Sequence, residues 1–270
     1  MILTSLCIWS HDLSLNERQL HILNWVQQCD LLLVEDMVER FSVSSQTIRK
    51  DINQLAEKHL VRRQHGGIAP VSTAENLPFA NRQFLNSDAK QKIAQQVAQA
   101  IPNGASVFLG IGTTVEYVAK ALLNHQELQV FTNNLTVATL FANRQDIPVR
   151  LTAGRMRHRH CDLVGSDAIE SMRKYVFDYG ILGCGGLHEH YGILDFDPDE
   201  ANLSRVLIEQ SRHVLLVADQ HKWGRKASAC VTSFAAVEAL YTDGISVEQR
   251  QLLGQQGVDI VLSEESIKHA

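Results

Sequence analysis

The stretch Phe41-Ser42-Val43-Ser44-Ser45-Gln46-Thr47-Ile48-Arg49-Lys50-Asp51-Ile52 decides the fold of the first part of this 270-residue chain. Phe41 to Ser44 reads as a tight turn, and the Ser44 hydroxyl is placed to accept the free N–H groups of a following helix. Ile48, Ile52 and Leu55 then recur at i, i+4 and i+7, so they face a core. Ser45, Gln46, Thr47, Arg49, Lys50 and Asn53 are left facing outward. Upstream, Leu20, Ile22, Leu23, Trp25 and Val26 predict an amphipathic helix from about Asn16 to Gln28. Leu31-Leu32-Leu33 predicts a short strand, and Met37, Val38 and Phe41 share one face of a helix over Val34 to Phe41. Downstream, Val61-Arg62-Arg63-Gln64-His65-Gly66-Gly67 is strand-like with a Gly-Gly turn, a small basic hairpin.

Helix, helix, short turn, helix and basic hairpin is the order of a winged helix-turn-helix. Charge supports a nucleic-acid partner for it. The whole chain has a net charge of −5, which excludes a uniformly basic coat. Between residues 44 and 65, however, Arg49, Lys50, Lys58, Arg62 and Arg63 face only Asp51 and Glu57, a local charge of +3. Phosphate contacts need a local patch of this kind. Ser44, Ser45, Gln46, Thr47, Arg49 and Lys50 at the start of the third helix, with Arg62, Arg63, His65 and Gly66 in the hairpin, are the expected contacts to double-stranded DNA. Gln, Arg and Thr suit adenine, guanine and the thymine methyl. The competing reading of the same pattern is a plain three-helix bundle with a solvated charged face.

The rest of the chain divides by pattern. Residues 1–14 form an extension of no assigned role, with no cation ahead of its apolar run and no small-residue cleavage site. Residues 15–69 form the winged unit. Residues 70–87, with Pro70 and Pro78, read as a linker. Residues 88–270 alternate strands and helices, an α/β pattern. Asp88 is expected to cap a helix bearing Ala89, Ile93, Val97 and Ala100. Ser106 to Leu109 reads as a buried strand running into Gly110-Ile111-Gly112-Thr113-Thr114 and a helix from Val115 to Leu123. A Gly-rich loop at a helix N-terminus is a candidate anion cradle, through Gly112, Thr113 and Thr114; by itself such a loop is more often a simple turn. Further strand-to-loop events end in Thr132-Asn133-Asn134, Ala153-Gly154, Gly183-Cys184-Gly185-Gly186 and Ala218-Asp219. Loops of this kind at the carboxyl ends of parallel strands build one crevice, and Lys222 would supply it with a cation.

The run Phe41 to Ile52, Leu55 and the segment Arg62 to Gly67 resemble the DNA-binding signature of DeoR-type bacterial repressors. The resemblance continues through Ile101-Pro102-Asn103-Gly104, Ile111 to Thr114, Thr132 to Leu135, Phe177 to Gly183 and Ser211 to Val214, as far as about residue 243. It implies a cytoplasmic, homo-oligomeric repressor of a sugar or polyol catabolic operon. Its α/β domain would be of the sugar-phosphate isomerase/CoA-transferase-like type. A phosphorylated sugar or polyol such as glycerol 3-phosphate would release it from operator DNA. Under the resemblance, Glu200, Arg205, Gly185 and Lys222 join Gly112, Thr113, Thr114, Thr132, Asn133 and Asn134 as effector contacts.

Three positions depart from that pattern. Leu33 stands where Ser or Thr usually caps the second helix, a loss of about 1 kcal/mol that Glu35 and Asp36 partly offset at the helix dipole. Gly110 replaces an Asp whose carboxylate would accept hydroxyl hydrogen bonds, and Ser204 replaces a Lys. The loop Gly154 to Asp162 is also unusually basic, with Arg155, Arg157 and Arg159.

Other readings stay open on the residues alone. Asp195, Asp197, Asp199 and Glu200 would suit a sugar-phosphate enzyme, although no base–nucleophile pair can be defended. His158, His160, Cys161 and Asp162 with His188, Glu189 and His190 would suit a metal-responsive regulator. Gly110 and Ser204 would suit an effector-independent one. The expectation is no enzyme, no cofactor, no resident metal and no membrane span. Five widely spaced cysteines without a Cys-x-x-Cys pair argue for a reducing compartment.

Overall fold

The computed structural model describes residues 15–27, 29–71 and 79–263. They form two compact units, the first comprising the residues up to 71 with 80–86 and the second running from residue 87. The extension 1–14 lies outside the described residues, as does part of the proline-marked segment, 72–78.

The first unit contains α1 (Glu17–Val26), β1 (Leu32–Leu33), α2 (Val34–Phe41), α3 (Ser45–Glu57), β2 (Val61–Gln64) and β3 (Gly67–Pro70), followed by the short α4 (Phe79–Arg82). Ser44 caps α3 as its position predicts, its hydroxyl accepting from Thr47 N at 3.2 Å. Ile48, Ile52 and Leu55 are buried with Ile22, Leu23, Val26 and Met37. Asp51, also in α3, turns inward: its carboxylate takes Arg18 Nε at 2.6 Å and Gln19 Nε2 at 3.1 Å. The outward face of α3 is therefore more basic than the residue count suggests.

Leu33 is indeed the N-terminal boundary of α2 without a side-chain cap. The compensation comes from the wing, because Val34 N donates to Gly66 O at 2.9 Å. That bond requires β3 to run close beside β1, with Leu33 opposite Gly67. A Cβ on Gly67 would stand 2.1 Å from Leu32 O, a backbone atom that cannot swing away. Gly67→Ala is accordingly expected to destabilise this unit by about 1–3 kcal/mol, seen as an earlier first transition in a circular-dichroism melt. A superimposable melt would show that the wing does not need the close approach.

The segment 70–87, expected to be a linker, is partly built into this unit. Pro70 pairs with Val61, Asn81 Nδ2 donates to Lys58 O at 2.7 Å, and Phe84 and Leu85 pack on the core. Two apolar side chains behind a run of turn formers are enough to dock it.

The second unit comprises α5 (Ser87–Ala100), β4 (Ser106–Leu109), α6 (Thr113–Ala121), β5 (Gln129–Thr132), α7 (Leu135–Leu140), β6 (Val149–Leu151), β7 (Arg155–Arg157), β8 (Asp162–Val164), α8 (Ser166–Met172), β9 (Phe177–Leu182), β10 (Gly186–His188), β11 (Gly192–Asp195), α9 (Pro198–Glu209), β12 (Ser211–Val217), β13 (Ala229–Thr232), β14 (Ala239–Thr242), α10 (Val247–Gln255) and β15 (Asp259–Leu262). Seven strands form one sheet in the order β15-β14-β12-β9-β4-β5-β6, and every pairing in it is parallel. Each face of the sheet carries its own buried cluster. β10, β11 and β13 make a small antiparallel sheet, and β7 and β8 an isolated hairpin.

Two local expectations are corrected. Asp88 lies in the first turn of α5, which starts at Ser87, so it serves the helix dipole rather than capping. The buried face of α5 is Ile93, Ala94, Val97 and Ala98, whereas Ala100 is exposed. Likewise α6 starts at Thr113, two residues earlier than expected, with Gly112 as its boundary at φ 123°.

Candidate functional site

In the first unit, α3 and the hairpin β2–β3 enclose a groove with a cavity of about 360 Å³, lined by Arg49, Asn53, Arg63, Gln64, His65 and Gly66 among others. Ser45, Gln46, Arg49, Lys50, Arg62, Arg63, His65 and Gly66 are all exposed. Ser44 and Thr47 share a hydroxyl contact at 2.9 Å, so part of their polarity goes to the cap. Asn53 and Gln64 also reach this groove and were not expected as contacts. Asn53 follows Arg49 by one helical turn, which is the signal that could have found it.

In the second unit the sheet order reverses between β4 and β9. Strands β5 and β6 extend to one side of that point and β12, β14 and β15 to the other. The loops leaving β4 and β9 meet there: a Cβ on Gly183 would be 2.6 Å from Ile111 O, and one on Gly112 would be 4.0 Å from Gly183 Cα. Ligands of open parallel sheets bind at such a switch point, outside the carboxyl ends of the strands. Gly110, Ile111, Asn133, Gly183 and Ser204 line the crevice with Leu203 and Leu207, and its free volume is only about 10 Å³. Gly110 and Ser204, two of the three positions that depart from the family pattern, therefore stand on the same crevice.

The expected contacts fall into three groups. Asn133 lines the crevice and Gly112 stands beside Gly183 at its edge; Thr113 and Thr114 follow in the first turn of α6, buried and outside that lining. Asn133 Nδ2 donates to Leu163 O at 3.0 Å, tying the crevice to β8. Thr132 and Asn134 are committed elsewhere. The Thr132 hydroxyl donates to Leu109 O at 2.7 Å, and Asn134 Oδ1 caps α7 by accepting from Thr136 N and Val137 N. Arg205 is bonded to β13, its Nε donating to Val231 O at 3.0 Å and its Nη2 to Cys230 O.

Gly185, Glu200 and Lys222 belong to an adjoining polar cluster. Lys222 Nζ donates to Cys184 O at 3.0 Å, on the loop that touches Gly112. Gly185 lies against Asp195, where a Cβ would be 2.9 Å from its Cα. Burial and the neighbouring Glu200 carboxylate, which also shares a hydrogen bond with Asp195, hold the Asp195 carboxyl well above the usual range. Burial pushes the Cys184 thiol up to about 12, so it is no thiolate nucleophile at neutral pH.

Arg157, on the loop read as unusually basic, proves to be the centre of the cluster. Its Nη1 donates to Asp197 at 2.6 Å and its Nη2 to Glu200 at 2.6 Å, and it pairs with Asp162. Burial works against its charge, but the hydrogen bonds it donates to Asp162 and the fields of Glu200 and Asp162 outweigh that and raise its pKa. Arg155 pairs with Asp199 at 3.3 Å. Glu116, buried in the first turn of α6 and bonded to Asn134 Nδ2 at 3.3 Å, was also passed over in the sequence. Among the described residues no group of three or more His, Cys, Asp and Glu side chains is placed to hold a metal ion, and His160 faces Glu200 at 4.0 Å instead.

The raised Asp195 carboxyl has a measurable consequence. A carboxyl protonated more readily in the folded state contributes stability at low pH that is lost as pH rises through its folded value. Asp195→Asn keeps a carbonyl for Phe196 N, which Asp195 Oδ1 now accepts at 2.8 Å, and keeps a donor for Glu200. The variant and the parent are expected to melt together near pH 4, with the variant increasingly the more stable towards neutral pH. A difference that does not change with pH would contradict the shift.

No helix among the described residues is long and apolar enough to cross a membrane. Residues 18–74 match the DeoR-like helix-turn-helix domain, and residues 85–244 match the DeoR C-terminal sensor domain. The glycerol-3-phosphate regulon repressor of Escherichia coli K12 is 42% identical over 84% of this chain and 90% of its own length. The protein of that name from Haemophilus influenzae is 38% identical over 93% and 98%. The HTH-type transcriptional repressor CsqR of Escherichia coli K12 is 32% identical over 94% and 98%. A ribose 5-phosphate isomerase A from Neisseria gonorrhoeae aligns with 50% of this chain and 53% of its own at 16% identity and a TM-score of 0.37, too slight a likeness to argue from. With both domains matched in order and the similarity running through nearly the whole chain, this protein belongs to the DeoR family of helix-turn-helix transcriptional regulators.

Proposed function

We propose that this chain represses a sugar or polyol catabolic operon and leaves its operator when a phosphorylated sugar or polyol, such as glycerol 3-phosphate, binds the switch-point crevice. The observation that carries the reading is that Asn133 and the Gly110–Ile111 loop leading into α6 line one crevice, while the Lys222 ammonium is bonded to Cys184 O on the adjoining loop. Backbone N–H groups and an ammonium suit a phosphate. The name shared by the relatives from Escherichia coli and Haemophilus influenzae supports glycerol 3-phosphate as the first ligand to try.

A free volume of about 10 Å³ does not admit a polyol phosphate. Binding therefore selects a second arrangement of the crevice, and the effector shifts the balance by the difference in its affinity for the two arrangements. In a homo-oligomer, two winged units span two operator half-sites, and an arrangement with the wrong spacing loses one of them. Catalysis is no part of this reading. Glu200 is held by Arg157 at 2.6 Å, and burial, with the nearby Glu200 carboxylate, raises the Asp195 carboxyl above its usual range.

Lys222→Ala tests the proposal. Operator affinity is expected to stay within about twofold of the parent, since Lys222 lies outside the winged unit, while glycerol 3-phosphate no longer lowers it. A normal effector response in this variant would remove Lys222 from the site.

A further inference from the structure

The second unit also has a cavity far larger than the crevice. A recess of about 310 Å³ opens at the β6 edge of the sheet, beneath the end of α8. Its rings form a ladder: Phe108 lies 5.0 Å from Phe177, Phe177 5.0 Å from Phe131, and Phe131 4.9 Å from Tyr175. The ladder runs from Phe108 through Phe177 and Phe131, all three buried, to Tyr175, which is 39% exposed and forms its open end. Two cations, Arg150 and Lys174, line the same recess. The Arg150 guanidinium lies over Phe131 at 5.4 Å and Tyr175 at 5.9 Å. No carboxylate lines the recess, and neither cation has an ion pair among the described residues. Thr152 Oγ1, on the same wall, is buried with no hydrogen-bond partner among the described residues.

Each of these features is costly or idle in the empty protein. Exposed aromatic surface is a loss to water, a buried hydroxyl without a partner costs about 1–3 kcal/mol, and two like charges on one apolar recess repel. One kind of ligand answers all of them. We propose that this recess is a second ligand site of the chain and that it takes a small aryl anion, with a flat ring against the aromatic ladder and a carboxylate or phosphate at Arg150 and Lys174. The volume fits a small-molecule pocket, and ring stacking beside a cation is worth most where water is excluded. Phe108 is shared with the switch-point crevice, forming a wall common to both. A ligand that fixes this wall in one position changes the affinity of the crevice for its own ligand, and the reverse holds by linkage.

The test uses the full-length chain with phenyl phosphate and benzoate as probes for the two anionic groups, and inorganic phosphate and glycerol 3-phosphate as controls without a ring. Binding is read by calorimetry and by saturation-transfer NMR. At least one aryl probe is expected to bind, its ring protons in contact with the protein, and inorganic phosphate not to displace it, whereas glycerol 3-phosphate acts on it only through the shared Phe108 wall. Lys174→Gln and Arg150→Gln, both changes at the recess mouth, are each expected to weaken it about tenfold, the worth of one charge-assisted hydrogen bond. Three results overturn the proposal: no aryl binding at millimolar concentration, binding unchanged in both variants, or displacement by inorganic phosphate alone. A fourth is an oligomer that dissociates on Tyr175→Ala, which would make the recess an interface between copies of the chain. Thermal melts of each variant identify one that has lost its fold. Phenyl phosphate binding does not depend on the identity of the crevice ligand, so the two readings fail separately.

Discussion

Arg49→Ala is expected to weaken binding to a DNA fragment that the parent protein enriches from a random pool by about 1–3 kcal/mol, and to relax its sequence preference. The size of the effect follows from position. Arg49 is exposed on α3 and lines the groove between that helix and the wing, one turn before Asn53. A guanidinium there can pair with the two acceptors of a guanine edge, a contact that alanine abolishes. Lys50 is exposed but lies outside that lining, which suits a phosphate contact. Lys50→Ala should weaken binding evenly across sequences and flatten the salt dependence by about one ion. Neither substitution touches the core, because Ile48, Ile52 and Leu55 hold α3 from its other side. Unchanged affinity and salt slope in both variants would remove α3 from the interface.

Arg157→Ala carries the second large effect, this time on stability. Its side chain is 11% exposed, and it faces Asp162 at 0%, Glu200 at 11% and Asp197 at 40%. Deleting one partner of a buried ion pair leaves an uncompensated charge and costs about 3–5 kcal/mol. Here the loss falls on three carboxylates, and it also detaches the β7–β8 hairpin from the N-terminus of α9. Arg157→Lys should recover only part of it, since one ammonium cannot span acceptors that a planar guanidinium meets from several edges. The check is the thermal unfolding of the second unit for the parent and both variants. Equal melting of Arg157→Ala and the parent would show that the cluster relaxes into water without cost.

The contrast between these two arginines shows what the sequence made legible. The outward placement of Arg49 was legible because helical periodicity is local: Ser44, Ile48, Ile52 and Leu55 fix which side of α3 is inside. The winged layout, the parallel α/β sheet and the switch-point loops follow from equally local patterns of apolar runs and glycines. Arg157 was seen only as one cation in a basic loop, because its partners Asp197 and Glu200 stand 40 and 43 residues away. No local pattern announces such a pair. The same distance explains Asp51, read as part of an exposed charge count but turned inward to Arg18 across 33 residues.

Among the candidate contacts, Thr132 and Asn134 look identical in sequence to ligand groups. Their hydroxyl and amide are consumed by the strand end and the α7 cap. Arg205, carried over by resemblance, stands on the outer face of α9 and donates to backbone carbonyls of β13, a tie between elements that no local pattern shows.

The central claim joins a DNA-reading unit to a crevice that senses a phosphorylated polyol. Its most direct test is the affinity of the intact protein for its selected DNA fragment, measured at fixed salt while glycerol 3-phosphate and a panel of phosphorylated sugars are titrated in. The account predicts that one of them lowers the affinity in a saturable way, with the loss absent in Lys222→Ala. It is contradicted if none of them changes the affinity, or if one binds the protein by calorimetry and the DNA affinity stays the same.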